Sequence, residues 1–440
     1  MRVDIPYTRH RLGNGLTVLL HRDATLPVVS VNLWYHVGSK NERPGRTGFA
    51  HLFEHLMFEG SGHVPAGHFD DHLEAAGGVN NGSTTNDRTN YWENLPAGAL
   101  ELALWLEADR MGFLLDAMSQ DKLDLQRDVV MNERRETVDN QPYGAAYETV
   151  YAHLYPPEHP YHWPVLGSME DLEAATLPDV LDFFRTYYTP VNASLALAGD
   201  LDEAEALALV DRHFGAIPPG RPVPPLVVPE ASLAEDVPVV LEDGVALPRL
   251  YVAWHSATQF TDDDAALEVL SSVLTDGKSS RLYKRLVYDE EVAQDVGAFQ
   301  NGQEVAGSFW LVATARPEIS LARIEAAVRE EVARVAALGV EPVEVQRAVV
   351  GIETDFVRSL ERVGGFDGKA DRLNEYHVMT GDPGWAAQDL ARFQRVTPAA
   401  VQEAAQRFVA ERPGVWLSVV PHGRTDLAAS GDVPGTDPGE

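Results

Sequence analysis

The sequence predicts an α+β protein built from two homologous domains that arose by internal duplication. The chain has 440 residues, which is more than one ordinary hydrophobic core accommodates. Short stretches recur about 220 residues apart, and a fixed spacing of this kind is the mark of a repeated fold. Each half also opens with alternating strand patterns, passes through helical segments and closes on another strand, which indicates an α+β order.

The repeat is seen at four places in the sequence. One match would be noise, but four at nearly the same spacing indicate two copies of one fold. The matching pairs are Gln126–Glu133 with Gln346–Glu353, Leu26-Pro27 with Leu247-Pro248, Pro178 with Pro398, and Pro190 with Pro413.

The strands of the two halves correspond in order. In the first half, the alternating stretch Val29–Leu33 predicts an opening strand and Ser194–Ala198 predicts a closing one. In the second half, Leu250–Trp254 and Val415–Val420 take the same places. The helices of each half lie between these strands. Pro178 and Pro190 flank one predicted helix in the first half, and Pro398 and Pro413 flank its counterpart in the second.

The domain boundaries follow from the repeat and from composition. We predict a first domain at residues 1–216, a proline-rich and semi-rigid linker at 217–240, and a homologous second domain at 241–423. The segment 424–440 is polar and rich in glycine and proline, so we predict that it is disordered.

Composition limits the chemistry that the chain can carry. There are no cysteines, so a metal would have to be held by histidines and carboxylates. A net charge of −32 repels nucleic acid and favours cationic partners such as basic peptides. An equally good interpretation is that the acidic surface keeps the protein soluble. No apolar run is long enough to span a membrane, and charges occupy the first twenty residues, so we expect a cytoplasmic protein.

The most informative motif is His51-Leu52-Phe53-Glu54-His55. Residues four apart lie one above the other on a helix, so His51 and His55 can point ring nitrogens at one ion. Glu54 lies on the same side, where a carboxylate can take a proton from a water bound to that ion. The motif therefore predicts a zinc site with its own base.

A second pair of histidines has the same spacing. His68 and His72 enclose Asp71, whose shorter side chain reaches less far than a glutamate. The segment ends at Gly77-Gly78 like an ordinary polar helix. We interpret this pair as a solvated face, with a metal site as the less favoured alternative.

The second half cannot hold the same ion. Shifting the motif by 221 residues gives Ser272–Asp276, which contains no imidazole. A catalytic zinc also needs a third protein ligand. Many carboxylates are eligible by spacing alone, although Glu133 stands out because apolar residues one turn before it would bury one side of its helix. Glu353, the counterpart of Glu133 in the second half, is better interpreted as a structural helix residue than as a metal ligand.

Together with Gly38-Ser39, Glu42 and a glutamate 78 residues after His55, the motif resembles the inverzincins of the pitrilysin, insulinase and mitochondrial processing peptidase family. The resemblance implies that His51, His55 and Glu133 bind one zinc ion per chain and that Glu54 is the general base. It also implies two homologous α+β domains closing like a clam shell around a peptide chamber.

The run Asn81-Gly82-Ser83-Thr84 resembles the family's substrate-binding edge strand. On its own, a polar run with Asn-Gly would indicate a turn. With the family pattern we favour a strand that binds an extended peptide by strand addition. Gly82 and Ser83 replace larger residues, so we expect a roomier pocket there.

Two departures from the family pattern concern catalysis. Gln126 stands where the family often has a second glutamate near the metal. The amide can still form hydrogen bonds, but it does not carry the negative charge that an auxiliary glutamate would supply. Val287 and Gln294 stand where active single-chain members carry an arginine and a tyrosine that hold the substrate and the developing oxyanion. The resemblance therefore implies a homologous partner subunit that carries the Arg/Tyr pair.

The sequence thus predicts a zinc-dependent endopeptidase for extended peptides or unfolded segments, acting as the catalytic subunit of a heterodimer. The alternative is a non-catalytic structural subunit of a larger complex with the same fold. A metallohydrolase of another class is a third interpretation, if the strand-edge assignment is wrong.

Overall fold

The computed structural model describes residues 3–429, which form eleven strands and fifteen α-helices. The strands are β1 Thr8–Arg11, β2 Thr17–Arg22, β3 Val28–Tyr35, β4 Val79–Thr84, β5 Thr89–Pro96, β6 Ala193–Gly199, β7 Val237–Asp243, β8 Arg249–Ser256, β9 Ala293–Gly302, β10 Gly307–Ala315 and β11 Val415–Pro421.

The helices include a short turn, α10, that continues as a π-helical segment. They are α1 Phe49–Leu56, α2 His68–Ala75, α3 Leu100–Phe113, α4 Gln120–Arg134, α5 Ala146–Leu154, α6 Met169–Glu173, α7 Leu177–Tyr187, α8 Glu203–Phe214, α9 Asp262–Thr275, α10 Arg281–Tyr283, α11 Leu321–Leu338, α12 Pro342–Ser359, α13 Lys369–Thr380, α14 Ala386–Gln394 and α15 Pro398–Ala404.

The strands form two sheets with the same topology. The first has the order β1-β2-β6-β3-β5-β4 and the second β7-β11-β8-β10-β9. Once β1 is set aside, the orders match strand for strand, and each sheet contains one parallel pair, β2 with β6 and β7 with β11. The α+β class and the duplication are therefore confirmed.

The recurring prolines mark equivalent helix starts. Pro178 lies in the first turn of α7 and Pro398 in the first turn of α15. Each helix is preceded by a threonine, Thr176 or Thr397, whose side chain accepts a hydrogen bond from a backbone N–H of the first turn. Proline suits this position because its missing N–H would have no helical partner there.

The chain divides into two compact units that are not continuous in sequence. Unit 1 comprises residues 1–134, 163–227 and 355–388, and unit 2 comprises 135–162, 228–354 and 389–440. Helix α13 therefore belongs to unit 1, and α5 to unit 2. The predicted domain boundaries follow the repeat rather than this packing, and they stay predictions.

In unit 1, helix α13 covers one face of the first sheet through polar contacts. The buried carboxylate of Asp371 accepts hydrogen bonds from Trp34 Nε1 at 2.7 Å and Asn90 Nδ2 at 2.9 Å. Asn374 donates to the backbone and side chain of Asn32. Buried polar groups destabilise a fold unless they are hydrogen-bonded. The contact between α13 and the sheet therefore satisfies buried polar groups on both elements.

The other face of the first sheet forms the hydrophobic core of unit 1. Val31 and Leu33 of β3 and Leu52 and Phe53 of α1 are all fully buried in one cluster. Because α1 packs into this core, the side of α1 that carries polar side chains is fixed relative to the sheet.

The predicted disordered tail lies mostly outside the described residues. Its first part is ordered, which corrects the prediction for residues 424–429: a short helical turn spans Thr425–Leu427. Leu427 and Ala429 are buried in the core of unit 2, and this apolar contact fixes the backbone beyond 424. Residues 430–440 are not described.

None of the helices within residues 3–429 has both the length and the apolar composition required to cross a membrane. The expected cellular location stays a prediction.

Candidate functional site

Helix α1 begins at a glycine and is capped by a distant carboxylate. Gly48 has φ +85°, and an added Cβ would lie 2.7 Å from the carbonyl oxygen of Leu166, so a side chain is excluded there. Without a capping side chain at this position, Glu42 takes the role: its two oxygens accept hydrogen bonds from Gly48 N at 2.9 Å and Ala50 N at 2.7 Å. Glu42 thereby satisfies backbone donors that a helix start leaves unpaired.

Of the two motif histidines on α1, His51 is buried and His55 is partly exposed. Their ring centroids are 4.8 Å apart. The Nε2 atoms of His51 and His55 lie 3.7 Å and 3.2 Å from the same oxygen of Glu133, Oε2. The four-residue spacing on helix α1 thus brings both imidazoles to the same carboxylate oxygen.

Glu133 comes from α4, near its C-terminal end. The preceding residues Val130 and Met131 are buried and hold α4 in the core of unit 1, which places Glu133 beside α1. One ligand atom from each of His51, His55 and Glu133 lies within 4.8 Å of the others, and no other group of this kind occurs in residues 3–429.

The donor set fits a zinc ion. Two imidazoles and one carboxylate form the His2Glu set of catalytic zinc sites, which leave one position open. Burial, together with the nearby charge of His55, lowers the pKa of His51 to about 4, so its ring is neutral and can offer a lone pair. The side chains of His55 and Glu133 are 24% and 36% exposed, so solvent reaches the open side.

Glu54 is held by the edge strand β4. Its Oε2 accepts a hydrogen bond from the hydroxyl of Thr84 at 2.6 Å. Burial raises the pKa of the Glu54 carboxyl, whereas the Thr84 hydrogen bond lowers it. A carboxyl with a raised pKa is suited to proton transfer near neutral pH.

The run Asn81–Thr84 is part of a strand and not of a turn. Within residues 3–429, β4 pairs with β5 alone and is an edge strand of the first sheet. The space beside Gly82 is bounded by Glu54 and Tyr91, since an added Cβ would lie 3.2 Å from both Glu54 Cγ and Tyr91 Cδ1. The Ser83 hydroxyl donates to Asn90 Oδ1 at 2.7 Å. Substrate binding by these four residues stays a prediction.

The other residues singled out in the sequence lie on α4 and α2. Gln126 is buried on α4, two turns before Glu133, and its auxiliary role stays a prediction. His68 and His72 lie on α2 with ring centroids 6.4 Å apart; His68 is exposed and His72 partly exposed. Their assignment to a solvated face stays a prediction.

In unit 2 the corresponding positions make other contacts. Glu353 accepts a hydrogen bond from Gln394 at 2.7 Å. Thr275, which corresponds to Glu54, accepts one from the backbone of Ala298 at 2.9 Å. Val287 is half-buried against the core, and Gln294 is exposed on β9.

Two contacts of the site were missed by sequence reasoning. The capping role of Glu42 and the hydrogen bond from Thr84 to Glu54 both join segments that are separated along the chain. Both residues lie within the motifs that carry the resemblance, but the sequence pattern alone does not say which atoms they contact.

Comparison with known proteins gives two family matches. Residues 17–159 match the family described as insulinase, peptidase family M16, and residues 174–350 match the peptidase M16 inactive domain.

Among curated relatives, the zinc protease PqqE of Helicobacter pylori is 32% identical over 360 residues, covering 80% of this chain and 79% of the relative. A solved structure of a protease from Helicobacter pylori is similar, with a TM-score of 0.88 at 26% identity, covering 95% of this chain and 100% of that one. Complex III2 from Candida albicans contains a chain with a TM-score of 0.77 at 14% identity, covering 94% and 95%. That likeness concerns the fold alone.

Proposed function

This chain belongs to the insulinase family, peptidase family M16, and on that basis we propose that it is a zinc-dependent endopeptidase. The proposed substrates are extended peptides or unfolded segments. The observation that carries the proposal is the convergence of His51, His55 and Glu133 to within 4.8 Å, next to a carboxylate that is independently held at Glu54.

In peptide hydrolysis, three residues would hold the metal and a fourth would transfer the proton. His51, His55 and Glu133 would hold one zinc ion, which when bound supplies Lewis acidity toward the scissile carbonyl and the attacking water. Glu54 takes a proton from that water as its oxygen bonds to the carbonyl carbon. Glu54 then gives the proton to the amide nitrogen as the C–N bond breaks, so the base is regenerated.

The peptide would bind as an added strand on the open edge of β4. Main-chain hydrogen bonds provide affinity in this mode and are largely independent of sequence. The net charge of −32 supports a preference for basic peptides, since an acidic surface raises the local concentration of cationic ligands.

The central test is the substitution Glu54→Gln. The amide cannot take a proton, so we expect zinc content to remain at about one per chain while kcat falls by about 100- to 10,000-fold. The measurements are metal analysis and cleavage of a fluorogenic peptide. Glu74→Gln, on the exposed side of α2, is the matched control. Substantial turnover by the Glu54 variant would refute the base assignment.

We further propose that the active form is a heterodimer with a homologous subunit. Val287 has no donor, and the neutral amide of Gln294 is not a phenol, so the chain lacks the Arg/Tyr pair that the family uses at these positions. One missing oxyanion donor costs on the order of 100- to 1000-fold in rate. If the purified chain, shown to be monomeric or homodimeric, cleaves peptides at ordinary rates, this part of the proposal fails.

The same missing pair favours a second candidate, a non-catalytic subunit of a larger complex. Metal analysis separates the two, because a scaffold has no reason to bind stoichiometric zinc. The intact donor set and the neutral His51 support the enzyme.

A further inference from the structure

The carboxylate of Glu54 is oriented by a hydrogen bond from a neighbouring strand. Thr84 donates its hydroxyl to Oε2 at 2.6 Å, the distance of a strong O–H···O⁻ hydrogen bond. This is the one hydrogen bond to that carboxylate in the described part of the chain, residues 3–429. The two residues lie thirty positions apart, on α1 and on β4, so the contact depends on how helix and sheet pack.

Strand geometry determines which residues of β4 face Glu54. Side chains alternate along a strand, so Gly82 and Thr84 share one face and Ser83 has the other. Ser83 is bonded to Asn90, away from the base. Gly82 has no side chain, and an added Cβ would lie 3.3 Å from Oε1 of Glu54. Thr84 is therefore the side chain of this strand that holds the carboxylate, while Oε1 faces the space beside Gly82.

We propose that Thr84 is a positioning residue for the general base. Its hydroxyl donates a hydrogen bond to Oε2, so Oε1 is the oxygen that takes the proton from water. The inference rests on the proposed function, and it assigns Thr84 a different role from the peptide binding that the resemblance implies. A catalytic group displaced by about 1 Å can cost about 100-fold in rate, so a single hydroxyl at this place has a measurable effect.

A consequence is that the strand offered to the peptide also orients the base. A peptide added to β4 would stiffen the strand that carries Thr84, and the base would be held best when substrate is present. A purely structural hydroxyl would instead contribute to folding without affecting turnover.

The kinetic test compares Thr84→Val, which is nearly isosteric but lacks the hydroxyl, with Thr84→Ser, which keeps it. Both are assayed as zinc-loaded protein, with the partner subunit if the wild type requires it. For the valine variant we expect kcat to fall about 10- to 100-fold with KM and zinc content unchanged. For the serine variant we expect kcat near that of the wild type. Thr354→Val removes an exposed hydroxyl from α12 and is the matched control.

Three kinetic results would overturn the proposal. One is an unchanged kcat in the valine variant. Another is a serine variant as impaired as the valine variant, which would show that the methyl group matters. The third is a raised KM with unchanged kcat, which would return Thr84 to peptide binding.

A crystallographic measurement separates this inference from the proposed function. In structures of the wild type and Thr84→Val, the Glu54 carboxylate should move by more than about 0.5 Å, the tolerance of a catalytic geometry, or should become disordered. An unmoved carboxylate overturns the inference. If the wild type cleaves no peptide, the proposed function fails, while the position of the carboxylate still decides whether Thr84 holds it.

Discussion

The three side chains of the proposed zinc site differ in their surroundings. The side chain of His51 is 11% exposed, whereas that of Glu133 is 36% exposed. Replacing His51 would therefore disturb the packing of α1 as well as the site. Glu133 can be changed with less effect on folding, so it is the better residue for testing metal binding.

We expect Glu133→Gln to release zinc. Loss of a residue behind a ligand typically lowers metal affinity by about 10- to 100-fold, so loss of a ligand itself should cost more. Zinc per chain after dialysis is the measurement, with Glu136→Gln, three residues further along, as the control. A variant that retains one zinc per chain would mean that another residue is the third ligand.

A buried histidine in unit 2 should make stability depend on pH. His159 Nδ1 accepts a hydrogen bond from the backbone N–H of Tyr161 at 3.1 Å, and its ring stacks on Tyr155 at 4.4 Å. Burial, followed by the charges of His255 and His162, lowers the pKa of His159 to about 4. The ring is therefore neutral in the folded chain at pH values where it is protonated in the unfolded chain.

The sign of the effect follows from proton binding. Between the usual histidine pKa of 6.5 and about 4, the unfolded state binds the proton and the folded state does not, so the free energy of unfolding falls as pH falls. His159→Asn keeps an acceptor but does not titrate, so its stability should decline less steeply across this window. Urea unfolding at several pH values measures this, with exposed His153→Asn as the control. Parallel curves for wild type and His159→Asn would contradict it.

Single residues could be predicted from the sequence where their relation is local. His51, Glu54 and His55 lie within five positions, and helical geometry alone brings them together. The link from Thr84 to Glu54 could not be predicted, because it depends on the packing of α1 against β4.

At the scale of elements, α1 depends on a cap that lies outside the helix. Glu42 is buried and uses both oxygens to bind the first turn. An N-cap side chain is worth about 1 kcal/mol, and a buried N–H left unpaired costs about 1–3 kcal/mol. Besides the core packing of α1, the hydrogen bonds of one carboxyl group therefore hold the start of the helix that carries both histidines.

We expect Glu42→Gln to lower both stability and zinc affinity. The glutamine side chain offers one acceptor oxygen instead of two, so either Gly48 or Ala50 loses its partner. Thermal unfolding and zinc dissociation rates are the measurements. Asp202→Ala is the matched control because Asp202 caps α8: it should lower stability to a similar extent without affecting zinc. A Glu42 variant that loses stability but keeps its zinc affinity would show that the cap does not act on the site.

The sequence predicted the helices and strands of the repeat because their signals are local and occur twice. The edge strand was harder. Asn81-Gly82 is a common turn signal, and here it lies within β4 because pairing with β5 fixes the backbone. Tertiary pairing thus overrides the local preference, and the family pattern was needed to favour a strand.

At the scale of the whole molecule, the duplication has left two units of one topology with different chemistry. The one group of residues in 3–429 that could hold a metal ion belongs to unit 1. In unit 2 the residue that corresponds to Glu54 is Thr275. Its hydroxyl oxygen accepts a hydrogen bond from the backbone N–H of Ala298 in β9. A ligand that binds unit 1 should therefore protect its elements and not their counterparts.

Hydrogen exchange with and without zinc tests this asymmetry. At a free zinc concentration about 1000-fold above Kd, the folded state gains about 4 kcal/mol, so amides that exchange by opening of the site should slow by about 1000-fold. We expect this in peptides from α1, α4 and β4, whereas α9 and α12 should exchange at their original rates. Equal protection of α9 and α12 would contradict the assignment of the metal to unit 1.

The repeat predicted two copies of a fold, but it could not predict which segments pack together. The offset of about 220 residues places α5 opposite the region of α13, yet each helix packs in the unit of the other half. Only the contacts reveal this. Asp371 of α13 is bonded to Trp34 and Asn90 of the first sheet.

This exchange of helices affects synthesis on the ribosome. The proposed metal ligands emerge well before α13, and at about 5–20 residues per second the interval is on the order of 10 to 50 seconds. During that time Asn32, Trp34 and Asn90 lack their hydrogen-bond partners on α13, so we expect the nascent first half to remain incompletely folded. For the same reason, a protease cut within residues 217–240 would not release an intact first domain, because the fragment would leave behind the helix that covers its sheet.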